Sequence, residues 1–344
     1  MVFQKKNIFL PQKPFNDKIN LGIEILRTYM SFSIIIIHFL KRKYNTNFFI
    51  RFMIRGLPFY VPTFFLLSFY FSYNIFTAKN IVKIRERFIR ILIPYIIWPI
   101  FIWIRDLIHE KKSFHFKLFK HLFIQLLIGF DFYAVFWFHF DLIIISIIFV
   151  IIIFSFNSHY FLILKITGLL FVIFNKEYEK SFDVYKHNGS IKPLSRSFVF
   201  CLTGFFLSST KILQRLLNKK FIIFLLIFPV IYFNNTYEII KKFSKRLKVI
   251  VVEIVIVCLF LIFSLIPLKS IKNNIIKKII KQITNYTGGI YYIHYGVKKI
   301  FSDYFKIFSI GDFKSCVVNY LSCYFICLLG SIIFRKSYFK FLFI

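Results

Sequence analysis

The chain is short of acids, glycine, proline and patterned cysteine, and each shortage closes off a class of protein. Only 14 Asp and Glu stand among 344 residues, against 47 Lys and Arg. Eleven Gly and nine Pro leave no basis for a collagenous or disordered chain. Five cysteines, Cys201, Cys258, Cys316, Cys323 and Cys327, sit in or beside apolar stretches. None forms a CxxC pair or a Cys/His ligand spacing, so the sequence offers neither a disulfide framework nor a metal site. No repeat of fixed period is visible, and no motif recurs between the halves. That speaks against the internal symmetry of many secondary transporters.

What is present is apolar. The chain is 58% hydrophobic and 22% aromatic, with 52 Phe, and its mean hydropathy is +0.70. Such a share lies far above that of a soluble domain. A formal charge of +33 suits nucleic acid, anionic lipid or an anionic substrate. The cations fall in short clusters between long apolar runs, as loops and helix ends do beside phospholipid headgroups, and no basic domain or arm exists to track a phosphate backbone. The expected partner is therefore a lipid bilayer, with no nucleic acid.

A membrane-crossing helix needs about 20 apolar residues, fewer when other helices enclose it. On that rule, runs at 21–40, 56–76, 88–104, 118–130, 135–155, 158–174, 196–213, 220–234, 248–268, 286–301 and 315–335 predict an all-α, polytopic transmembrane bundle of about ten helices. Lys120, His121 and Gln125 interrupt the fourth run, which reads equally as an interfacial or re-entrant segment. Residues 1–20 read as a cytoplasmic N-terminal segment, 21–335 as one transmembrane domain with a polar loop at about 175–197, and 336–344 as a tail. No small-residue cleavage site follows the first run, so it is expected to be a retained helix. An inside N-terminus puts the Arg-dense stretch 79–90 on the cytoplasmic side.

Ionisable groups inside apolar helices cost about 2.5–3.5 kcal/mol each at the centre on insertion scales, so each needs a reason. Glu24, Arg27 and His38 stand out in the first run, LGIEILRTYMSFSIIIIHFL. Eleven residues at about 100° each bring His38 to within about 20° of Arg27, on one helix face and about 16 Å along it. Glu24 precedes Arg27 by one turn and can pair with it. These groups suit a reaction channel; they suit equally a snorkelling Arg27 and a His38 that marks the far interface beside Lys41. Arg87 and Arg90, at the entry to the third run, share a face and can make forked bonds to phosphate, or act only as a topology determinant. His294 lies in TGGIYYIHYGV, where Gly288 and Gly289 permit close approach; it is a second site or a packed residue. Glu253 is an intramembrane acid of unknown partner. His109, His115, His121, His159 and His187 fall in polar segments.

The order of these features resembles acyltransferase family 3, integral membrane proteins that include O-acetyltransferases of bacterial surface polysaccharides. Members carry an acid, an Arg and a His in the first helix, matched by Glu24, Arg27 and His38. Their VPxFFxxSG-like second helix is matched from Val61 to Ser68, their RxxR pair by Arg87 and Arg90, and their Trp-Phe segment by Trp137 and Phe138. A later Arg- and Gly-bearing helix is matched by Arg196 to Gly204, and a GIYxxH element by Gly289, Ile290, Tyr291 and His294. Two departures stand out. Phe69 replaces the glycine that usually follows the serine, and His139 and Asp141 alter a leucine-rich setting.

The resemblance implies transfer of an acyl group, most often acetyl, from acyl-CoA to a hydroxyl of a carbohydrate or glycolipid acceptor. No permanently bound cofactor and no metal are expected. His38 would act as general base or as a transient acyl carrier, with Glu24 and Arg27 orienting it or holding the donor. Arg87 and Arg90 would bind the coenzyme's phosphates, and His294, Tyr291 and Trp137 would form a substrate or second site. The location would be a multi-pass one, in the plasma (inner) membrane if the source is bacterial. The competing reading is a polytopic transporter, flippase or exporter of a polysaccharide or lipid-linked substrate, which also needs many helices and buried charge.

Overall fold

Every regular element among the described residues is helical. The structure, a computed structural model, describes residues 21–39, 48–109, 137–181, 194–209, 245–264, 274–305 and 313–336, with residues 120, 123 and 126. The helices are α1 (Leu21–Phe39), α2 (Phe48–Thr77), α3 (Ile81–His109), α4 (Trp137–Ser155), α5 (Tyr160–Ser181), α6 (Leu194–Ser209), α7 (Lys245–Ser264), α8 (Asn274–Phe305) and α9 (Phe313–Lys336). Three stretches among them are long and apolar enough to cross a membrane: Phe59–Thr77, Ile81–Arg105 and Trp137–Ser155. The expected run 220–234, most of 118–130 and the middle of the 175–197 loop lie outside the described residues.

The apolar-run rule finds the buried length of a helix and misses its polar ends. The third helix begins at Ile81, seven residues before the expected 88, because Asn80 caps it: its side-chain oxygen accepts the backbone N–H of Lys83 at 3.0 Å. Lys83, Arg85 and Glu86 are thus the exposed opening turns of a helix. Likewise α8 starts at Asn274 instead of 286, extended by a lysine-rich segment, and α5 continues to Ser181 through what read as loop. Pro94 and Pro99 stand inside α3, an arrangement that neighbouring helices make tolerable in a bundle.

Two buried clusters organise the packing. The first joins residues of α1 through α7 and is rich in rings, with Phe149 packed on Phe69, Phe76, Phe198 and Phe205. Gly204 brings α6 against α2 so closely that an added Cβ would lie 2.0 Å from the carbonyl oxygen of Leu66. Close backbone approach is thus supplied from α6, while Phe69 fills the interior beside it. The second cluster joins Ile35 of α1 with Ile290, Ile293 and Val297 of α8 and with Tyr320, Cys323, Tyr324 and Cys327 of α9. The first helix packs on α2, α7, α8 and α9 and so lies between the clusters.

Chain direction follows from side-chain contacts. Lys79, in the turn after α2, donates to Asn157 in the turn after α4 at 3.2 Å, so α2 and α4 end side by side. Along α2, Arg27 of α1 sits by Phe71, Phe138 of α4 by Phe65, and Tyr29 of α1 by Tyr60. The first helix therefore runs against α2, and the start of α4 meets α2 between the levels of Arg27 and Tyr29.

Candidate functional site

Hydroxyls in apolar helices commonly turn back to a carbonyl four residues earlier. Ser33, Thr63, Ser72, Thr167, Ser264 and Ser331 do so at 2.6–2.8 Å. A smaller set of polar groups reaches across helices. Thr28 of α1 meets Thr284 of α8 at 2.9 Å, and Tyr320 of α9 donates to the carbonyl of Phe32 at 2.9 Å. Ser197 of α6 donates to Asp141 of α4, and Thr203 of α6 bonds Glu253 of α7. These contacts tie α1 to α8 and α9, and α6 to α4 and α7.

The half-buried Glu24 and Arg27 lie in the first half of α1. The Arg27 guanidinium stands 6.0 Å from the centroid of Phe71, and the Glu24 carbonyl receives the Thr284 hydroxyl at 3.4 Å. His38 is in the last turn of α1, and its side chain lies outside the described residues. Its register is informative. With Arg27 as zero, Ile23 and Met30 fall about 40° and 60° to one side, and Ser31 and Ile35 about 40° and 80° to the other. Ile23 and Met30 belong to the first cluster and Ile35 to the second. The Arg27–His38 register line thus follows the seam between them.

Arg87 and Arg90 of α3 are placed differently. Arg87 donates to the Ser68 hydroxyl at 3.1 Å and lies 5.2 Å and 5.4 Å from the ring centroids of Phe69 and Phe76. The phenylalanine at position 69 therefore makes an aromatic seat for a guanidinium. Arg90 donates to the Glu86 carbonyl of its own helix at 3.2 Å, with exposed Lys83 and Arg85 nearby in sequence. Both Arg27 and Arg87 rest on the second half of α2, at the end where α2 gives way to α3.

Trp137 packs its ring 6.0 Å from Phe65 at the start of α4. Two residues on, His139 is 2% exposed, and Asp141 is 5% exposed. Neither had a role in the sequence reading, although an imidazole and a carboxylate at the head of the most apolar span were the available signal. On α8, His294 is fully buried, while Tyr291 has its backbone in the helix and its side chain outside the described residues. An added Cβ at Gly288 would meet no atom of the described residues within 4 Å, so no neighbouring helix backbone uses that glycine for close approach. Glu253 has a partner after all, Thr203.

The arrangement offers a basic end, a polar seam and two buried imidazoles, His139 and His294. Among the described residues, no group of three His, Cys, Asp or Glu could hold a metal ion. Comparison with known proteins adds one finding: the family model described as an acyltransferase domain, of acyltransferase family 3, matches residues 20–336. No curated protein and no solved structure matches the chain.

Proposed function

This chain belongs to that acyltransferase family, and from that premise we propose that it is a multi-pass enzyme of the plasma membrane. It transfers an acyl group, acetyl in the simplest case, from cytoplasmic acyl-CoA to a hydroxyl of a carbohydrate or glycolipid acceptor. The observation that carries the reading is the family match over nearly the whole of an apolar, all-helical chain. Supporting it, α1 lies between the two clusters and carries Arg27 and His38 on the register of their seam.

The chemistry needs a base, a charge-stabilising group and a route for the donor. His38 takes the proton of the acceptor hydroxyl as its oxygen attacks the thioester carbonyl. The tetrahedral intermediate then expels the coenzyme thiolate, which recovers that proton from the imidazolium; an ester and free coenzyme remain. A positioned base of this kind supplies about 10²–10⁴ in rate. Arg27, about 16 Å from His38 by helix rise, lies at the basic end, a separation suited to a phosphopantetheine arm. Arg90, with Lys83 and Arg85, meets the coenzyme's phosphates there. Arg87, already held by Ser68, Phe69 and Phe76, fixes the start of α3 on α2 and reaches phosphate only by leaving that seat.

The test is mass spectrometry of surface glycans and lipids from cells producing the wild-type chain or His38→Ala and Arg27→Ala variants. The ester-sized mass increment should be present with the wild type and reduced by about 10²-fold or more in both variants, at normal membrane abundance. No ester increment with the wild type, or full transfer by His38→Ala, would overturn the proposal.

A further inference from the structure

The longest described helix, α8, has 32 residues and rises about 48 Å. A hydrocarbon core about 30 Å thick takes only about 20 residues of a helix. The excess lies at its start. Thr284 bonds Thr28 and reaches the Glu24 carbonyl in the first half of α1, whereas Ile290, Ile293 and Val297 share a buried cluster with Ile35, near the other end of α1. Residues 274–283 therefore precede the packed part of α8 on the basic side, outside the stretch 286–301 that apolar runs alone mark as a span.

Helical register sorts these opening turns into two faces. With Ile275 as zero, Ile276, Ile279, Ile280 and Ile283 fall at about 100°, 40°, 140° and 80°. Lys277, Lys278 and Lys281 fall at about 200°, 300° and 240°, on the opposite side. The isoleucine face is the one that α8 buries farther along, where Ile290, Ile293 and Val297 fall at about 60°, 0° and 40°. The stripe continues but its cover does not. Ile290, Ile293 and Val297 are at most 8% exposed, while Ile275, Ile276 and Ile279 are 68%, 45% and 48% exposed.

Charge says what suits the uncovered part. Residues 274–283 hold three lysines and no acid, and Lys278 is exposed. The opening turns of α3, at the same basic end, repeat the pattern, with Ile81 and Val82 exposed beside exposed Lys83 and Arg85. A helix with an apolar face opposite a lysine face has the form that lies at a membrane interface, one face on acyl chains and the other on headgroups. A leaflet meets both faces at one depth, because lysine stems reach from the acyl boundary to phosphate.

We propose that residues 274–283 form an interfacial arm that docks α8 on an anionic phospholipid surface, with Ile275, Ile276 and Ile279 on the acyl chains and Lys277, Lys278 and Lys281 toward headgroup phosphates. The inference goes beyond the acyl-transfer reading and does not depend on it; it needs only that the chain lies in a bilayer.

The test uses the full-length chain in nanodiscs of phosphatidylcholine with or without phosphatidylglycerol. Bimane is attached through Ile276→Cys, Ile279→Cys or Lys278→Cys, with the wild type labelled in parallel as background, and is quenched by acyl-chain-brominated lipid or by aqueous iodide. Brominated lipid should quench the two isoleucine sites more than iodide does, and the Lys278 site should show the reverse order. From an equal mixture, native mass spectrometry of the solubilised chain should find phosphatidylglycerol retained over phosphatidylcholine. That ratio should fall about fivefold for each charge removed by Lys277→Gln, Lys278→Gln and Lys281→Gln. Inorganic phosphate at the lipid's concentration should displace none of it, and displacement would make the lysines a free-phosphate site and overturn the docking. Iodide quenching at the isoleucine sites would put the arm in water, and quenching by neither agent would put protein over it, such as a second copy. Either result, or a lipid preference that the lysine variants leave unchanged, would overturn the proposal.

Discussion

The two buried clusters differ in what fills them. The first is almost wholly rings and aliphatic side chains, tied by Phe149 and by the backbone contact of Gly204 on Leu66. The second holds two tyrosines, two cysteines and a few aliphatics, with Tyr320 bonded to the Phe32 carbonyl and Phe32 stacked edge-on to both tyrosines. In a membrane, lipid tails are as apolar as a Phe-rich interior, so helices gain little from burial alone; close packing and interhelical hydrogen bonds hold them. The first cluster uses packing and the second adds polar contacts. Chemistry has room only where polar groups can be kept, and the candidate residues Arg27, His294 and the His38 position all border the second cluster or the seam beside it.

Three substitutions sharpen or break this contrast, from the largest effect to the smallest. Gly204→Ala drives a methyl into the Leu66 backbone, which cannot move aside as a side-chain tip would. It should cost about 3 kcal/mol or more, read as a fall in thermal unfolding temperature at fixed detergent. A tolerant Gly204 would mean that the first cluster is not the rigid one. Tyr320→Phe removes one interhelical hydrogen bond and keeps the ring, so a loss of about 0.6 kcal/mol is expected by the same measurement. A loss several times greater would make the second cluster dependent on polar contacts far more than the structure indicates. Gly288→Ala has open space and gains helix propensity, so stability should stay within about 0.5 kcal/mol or rise slightly. Marked destabilisation there would place an unseen neighbour against α8.

Much of this was legible in the sequence because a membrane imposes a long apolar run on any helix that crosses it. The first and mid-chain runs, expected at 21–40 and 135–155, match Leu21–Phe39 and Trp137–Ser155 closely. The starts of α3 and α8 were misread because their polar turns continue a helix past its apolar stretch, and only the cap at Asn80 explains where α3 begins. The Arg27 and His38 face followed from helical periodicity, whereas the burial of His139 needed helices distant in sequence to be brought together.

By itself the sequence determined an all-helical, membrane-seeking chain, its family, and which residues of α1 share a face, since composition, motif order and helix pitch are local properties. Only tertiary structure decided that Arg87 is seated between Phe69 and Phe76, that Glu253 bonds Thr203, and that His139 and His294 are both buried. Those outcomes depend on which helix packs beside which. In a chain whose spans are all comparably apolar, hydrophobicity alone does not choose among neighbours; small residues and a few interhelical polar contacts do.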